Sequence, residues 1–116
     1  MLTVLRGLSI VGELDDDQLP LHLAVKSRSS DTVQQIIASG QDIDEKNRFG
    51  QTALHLAAEY GLEEITRVLL ELNANVDIAD RKCRTAMYVA VQNKHLQCVR
   101  LLLKFGANPD GDAGNI

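Results

Sequence analysis

Tryptophan is absent from this 116-residue chain, and aromatic residues together make up only 3% of it. A core without large rings has to be built from Leu, Ile, Val and Ala, which suits helices stacked closely on one another. Cysteine is scarce. Cys83 and Cys98 are too few to staple a small secreted fold, which points to a reducing compartment, cytoplasmic or nuclear. No apolar run approaches the roughly 20 residues that a membrane-spanning helix needs. Positive charge is in the minority, 12 Lys and Arg against 16 Asp and Glu. The resulting net charge of −4 argues against general affinity for nucleic acid or a membrane surface. The mildly apolar start, MLTVLRGLSIVG, is interrupted by Arg6 and Gly7 and is followed by no convincing small-residue cleavage site, so it does not read as a secretory signal.

What the chain does contain is a repeat. Sliding the sequence by 33 positions aligns Leu21, Leu54 and Met87, then His22, His55 and Tyr88, then Ala24, Ala57 and Ala90. Further along, Ile36, Leu69 and Leu102 align, as do Ile37, Leu70 and Leu103. Gly40, Asn73 and Gly106 close each unit, followed by Asp44, Asp77 and Asp110. No gap is needed across the three copies. Self-similarity at a fixed period of this size is the mark of a solenoid.

Each unit reads as two short antiparallel helices. The first runs over about Ala53 to Tyr60 and is stopped by Gly61; the second starts near Glu63. Ile65, Val68, Leu69 and Leu72 recur in the second at i, i+3, i+4, i+7, the spacing of one apolar helix face. Glu63 and Glu64 sit at its positive end, where carboxylates are favoured. Gly40, Asn73 and Gly106 suit the left-handed turn that ends such a helix. Thr52 and Thr85 are placed to cap the first helices, and Pro20 takes the first helical position in copy one. Gly50 is expected to hold a positive φ, which puts strain on Cys83, its counterpart in copy three.

TALHLAAEYG, followed by LEEITRVLLELNANVD, resembles the ankyrin repeat with its T-P-L-H-x-A start. The resemblance implies an all-α solenoid of stacked antiparallel helix pairs joined by hairpin-like turns. It covers nearly the whole chain, in units at 14–46, 47–79 and 80–112. Copy one departs from the pattern at Asp17 and Leu19, and copy three at Cys83 and Tyr88. Residues 1–13 resemble the tail of a preceding repeat, with Thr3–Ile10 aligning on Ile36–Ile43 and Gly7 over Gly40. Residues 113–116 resemble the opening of a further repeat or a linker. End units of a solenoid normally turn a polar face outward, and Ile36, Ile37, Leu102 and Leu103 show no such softening. The expectation is a piece of a longer array.

Catalytic chemistry finds little support. His55 recurs as His22 in the same column, and His95 stands elsewhere, so no three or four metal ligands converge. The resemblance implies that this histidine ties the turn to the helix start and bridges neighbouring units. Cys98 falls in the apolar helix pattern beside Val99 and Leu102 and reads as a small buried residue. Cys83 lies at an exposed turn among Arg81, Lys82 and Arg84, with no histidine base beside it. The run Asp15–Asp17 lacks the ligand spacing of a calcium loop. No Gly-rich phosphate cradle occurs. The chain therefore reads as non-enzymatic, with no cofactor and no metal.

In the ankyrin family the turn tips and the exposed side of the first helix contact partners. The resemblance carries this role to Arg48, Phe49 and Gln51, then Arg81, Lys82 and Arg84 at the tips. On the first helices it falls to Lys26 and Ser27, Glu59 and Tyr60, then Gln92 and Asn93. Phe49 and Tyr60 stand at positions the repeat does not need for packing, and aromatics and arginines are enriched in interface hot spots. The expected function is a protein–protein interaction module, a monomer whose protein partner offers an acidic surface. Two alternatives stay open. One is the recognition part of a larger enzyme, channel or ubiquitin-ligase adaptor; the other is a steric inhibitor of an enzyme or transcription factor.

Overall fold

The computed structural model describes residues 19–106. The readings on Thr3–Ile10, Asp15–Asp17, Asp110 and the segments 1–13 and 113–116 lie outside the described residues. Six helices follow in order: α1 Pro20–Lys26, α2 Ser30–Ala38, α3 Ala53–Tyr60, α4 Glu63–Glu71, α5 Ala86–Gln92 and α6 Leu96–Lys104. Among the described residues there is no strand. The helices pair as α1 with α2, α3 with α4, and α5 with α6, and the pairs stack with α3 between α1 and α5 and α4 between α2 and α6. This is the helix-pair solenoid the period of 33 predicts.

Local chemistry starts and stops these helices where the sequence places them. Pro20 opens α1, contributing a fixed φ where no amide hydrogen is needed. The Thr52 hydroxyl accepts the amide of His55 at the start of α3, and the Thr85 hydroxyl accepts that of Tyr88 at the start of α5. Ser29 caps α2 in the same way through Thr32. No side chain caps α4, but Glu63 and Glu64 face the positive end of its dipole. The backbone turns left-handed after the second helices at Gly40, Asn73 and Gly106, as the column predicts. It does so again after the first helices at Arg28, Gly61 and Lys94, with φ between 61° and 70°. Only glycine takes that conformation without strain, so Arg28 and Lys94 each carry a local cost the sequence pattern does not announce.

The core is aliphatic. Leu21, Leu54 and Met87 are buried in register, and Ala24, Ala57 and Ala90 lie beneath them with almost no exposure. A column of alanines lets neighbouring first helices approach closely. Val33, Ile65, Leu69, Cys98 and Leu102 supply the inner faces of the second helices. The third unit leaves its outer face open. Tyr88, Val91 and Leu103 are about half exposed, whereas their counterparts His55, Ala58 and Leu70 lie buried under the next unit.

Candidate functional site

Two five-residue turns project between the helix pairs, and one polar side chain organises each. In the first, Oδ1 of Asn47 accepts the amides of Phe49 and Gln51, both at 2.9 Å. The Asn47 amide donates to the Gln51 carbonyl at 2.9 Å, closing the loop. In the second, Oδ1 of Asp80 accepts the amides of Lys82 and Arg84 at 2.9 Å, and the Asp80 amide donates to the Arg84 carbonyl. The second carboxylate oxygen holds the Arg84 guanidinium, through Nε at 2.9 Å and Nη2 at 2.8 Å. Burial favours the neutral acid, but the Arg84 and Lys82 amides and the guanidinium outweigh it, holding Asp80 below the usual carboxylate range. The Arg81 amide donates to the Phe49 carbonyl at 3.0 Å, linking the two tips directly.

Histidine sets the register of the tips against the helices. The Thr52 amide donates to Nδ1 of His55 at 3.1 Å, so that nitrogen carries a lone pair and the proton sits on Nε2. Nε2–H then donates to the Arg84 carbonyl at 2.8 Å, 29 residues along the chain. His22 repeats the bridge one unit earlier, donating from Nε2 to the Gln51 carbonyl at 2.8 Å. Its Nδ1 is buried with no hydrogen-bond partner among the described residues. Leu19 stands where Thr52 stands in copy two and offers no side-chain cap. Both His55 nitrogens are committed, and burial holds its imidazole below the ordinary value, so this residue is a structural bridge.

Between the two tips and the end of α3 lies an open cavity of about 300 Å³. It is lined by Phe49, Gln51, Leu56, Glu59, Tyr60, Asp80, Arg81, Lys82 and Arg84. The turn and first-helix positions of copy two thus meet the turn of copy three in one concavity. Phe49 is 51% exposed and Tyr60 38%, and the Arg48 guanidinium lies 5.4 Å over the Phe49 ring. Arg84 differs from Arg81 and Lys82 in that its charge is matched by Asp80. Gln92 and Asn93 stand apart from the cavity; the Asn93 side chain donates to the Val89 carbonyl and finishes α5. Lys26 and Ser27 end α1 in the same column, where the Ser27 hydroxyl donates to the Ala24 carbonyl.

Two lining residues escaped the sequence reading. Asp80 organises one wall, and its signal was available: Asn47 and Asp80 fall 33 apart, each four residues before the end of its turn. Leu56, 1% exposed, forms part of the floor and shows in sequence only as one more apolar helix residue.

Of the other chemistry-bearing side chains, Cys98 is taken up by packing and His95 by a backbone hydrogen bond. Cys98 is buried with its Sγ 3.5 Å from the Thr66 hydroxyl, and burial pushes its thiol up. Cys83 is exposed, and both cysteines are free thiols. His95 Nε2 donates to the Glu59 carbonyl at 3.0 Å. Among the described residues no three His, Cys, Asp or Glu side chains group to hold a metal ion, and no helix is long and apolar enough to cross a membrane.

No curated protein matches the chain significantly. The model of a family described as ankyrin repeats, in three copies, matches residues 21–112. With its helix pairs, threonine caps and histidine bridges in register over that span, the chain belongs to the ankyrin repeat family.

Proposed function

We propose that this chain is a non-catalytic module that holds a protein partner in the concavity between its turn tips and first helices. Ankyrin repeats are generally protein–protein interaction modules. The observation that carries the finer reading is the cavity itself: Phe49 and Tyr60, exposed and facing one space, ringed by Arg81, Lys82 and Gln51. Exposed aromatics beside arginines are the side chains that most often dominate an interface. Nothing in the repeat requires them there, since copy one places Ser27, and copy three Asn93, where Tyr60 stands. With only two cysteines, too few to staple a small secreted fold, the chain is assigned to a reducing compartment, cytoplasmic or nuclear. The partner is taken to meet a monomer, with the contact residues drawn from Arg48, Phe49, Gln51, Glu59, Tyr60, Arg81, Lys82 and Arg84.

A photo-crosslinking amino acid placed at Tyr60, and in a separate protein at Gln34 on the opposite helix layer, tests the choice of face. Gln34 is exposed on α2. Adducts to a protein from the Tyr60 position, absent from the Gln34 position, are expected in cells. Adducts only from Gln34, or from neither, would sink this reading.

A further inference from the structure

The cavity has an uneven rim, and the unevenness selects its occupant. Its apolar part is formed by Leu56 at the floor with the Phe49 and Tyr60 rings beside it, room for a single apolar side chain to be enclosed. The second of the two turns contributes Arg81 and Lys82. Among the described residues neither has a carboxylate within ion-pair distance. Arg84 adds no net charge there, because Asp80 matches it at 2.8 Å. On α3, Glu59 sits next to Tyr60 and presents the opposite sign to the same space.

Resting on the groove reading above, we infer that the cavity takes an extended peptide segment with one large apolar anchor and acidic residues on one side of it only. The anchor enters between Phe49 and Tyr60. The acidic side runs over Arg81 and Lys82, and the other side, passing Glu59, is uncharged or basic. A segment acidic on both sides meets repulsion at Glu59. A nucleic acid, negative along its whole length, meets the same repulsion together with the chain's net charge of −4. Opposite charge on the rim speeds encounter, while an enclosed apolar side chain slows departure.

The test uses fluorescence anisotropy on the full 116-residue chain with four labelled decapeptides sharing a central phenylalanine anchor. Their flanks are acidic on one side, acidic on both, neutral, or basic. A ten-nucleotide single-stranded DNA serves as a fifth probe. The peptide acidic on one side should bind tightest. Replacing Arg81 and Lys82 with glutamate should weaken it about tenfold, mainly by slower association, and flatten its salt dependence. Phe49→Ala and Tyr60→Ala should each weaken it about tenfold by faster dissociation. Glu59→Gln should raise affinity for the doubly acidic peptide about threefold and leave the one-sided peptide nearly unchanged. Urea midpoints of each variant separate lost binding from lost folding.

Equal binding of the neutral or basic peptide, still dependent on Tyr60, overturns the charge assignment while the groove reading stands. Tighter binding of the DNA overturns the peptide class. No peptide binding, while crosslinks from Tyr60 persist, overturns the inference and again spares the groove. Loss of both takes the groove reading with it.

Discussion

Cys83 occupies in the third unit the left-handed backbone position that Gly50 holds in the second, φ 64° against 77°. The two differ in what a side chain meets. A Cβ built on Gly50 comes 2.8 Å from the Arg81 amide nitrogen of the next turn, closer than atoms can approach. Cys83 is exposed and bears only the conformational strain. Cys83→Gly should therefore raise stability by about 1 kcal/mol. Gly50→Ala should cost more than about 1 kcal/mol, since it adds a backbone collision to the same strain. Urea midpoints of both variants check the pair, and a lowered midpoint for Cys83→Gly contradicts the strain argument.

The His55 bridge should make stability depend on pH near neutrality. Burial lowers the imidazole's proton affinity, and the Arg84 carbonyl and the Asp80 charge oppose this without reversing it. The unfolded chain, with an ordinary value of 6.5, therefore binds the proton first. Stability from His55 is complete above that value and falls as pH drops towards the lower folded value, by at most about 1.4 kcal/mol per pH unit. His55→Gln should be less stable at pH near 7 and show a flatter decline to about pH 5. A variant with an undiminished slope would place the effect elsewhere.

Asp80 titrates in the other sense. Its folded value lies below the ordinary 3.8, so its contribution is present above that value and disappears as pH falls through the folded one. Asp80→Asn keeps an oxygen for the Lys82 and Arg84 amides, as Asn47 does in the preceding turn, and loses the ion pair. It should cost about 1 kcal/mol and remove this part of the acid-limb decline. Asp80→Ala strands two amides and should cost about 2–3 kcal/mol. Equal stability of the Asn and Ala variants would show that the turn does not depend on this acceptor.

Leu70 and Leu103 occupy the same column but not the same environment: 3% exposed against 47%. Leu70→Ala leaves a cavity between units and should cost about 3 kcal/mol. Leu103→Ala removes a half-exposed side chain and should cost about 1 kcal/mol or less. Chemical unfolding of the two variants measures the difference, and similar costs would mean that the outer face of the third unit is covered in solution.

Thr52 as a cap, and Gly61 and Asn73 as helix ends, were legible in the sequence because each of these roles acts within a few residues of itself. A hydroxyl reaches the amide three positions on, and a left-handed φ ends a helix at the residue that adopts it. Arg28 and Lys94 were not legible in the same way. They share the Gly61 column, and only the backbone reveals that stacking forces residues with side chains into the conformation glycine prefers. Gly61 itself has a second role that no local pattern carries: a Cβ there would stand 2.6 Å from the His95 ring.

The period of 33, the two helices in each unit and the residues that cap and stop them were determined by the sequence itself, because hydrophobic periodicity and backbone sterics act over one or two turns. The tertiary structure alone decided which charges remain available and where a space opens. Arg81, Lys82 and Arg84 look alike as a basic cluster, yet Arg84 folds back on Asp80 while its carbonyl accepts a hydrogen bond from His55 of the neighbouring unit. Phe49, Leu56 and Tyr60 belong to a turn and a helix whose common cavity gains its far wall from a third segment, the turn of the next copy. Such a space depends on how one unit is set upon another, and stacking geometry arises from contacts between residues some thirty positions apart that no local window contains.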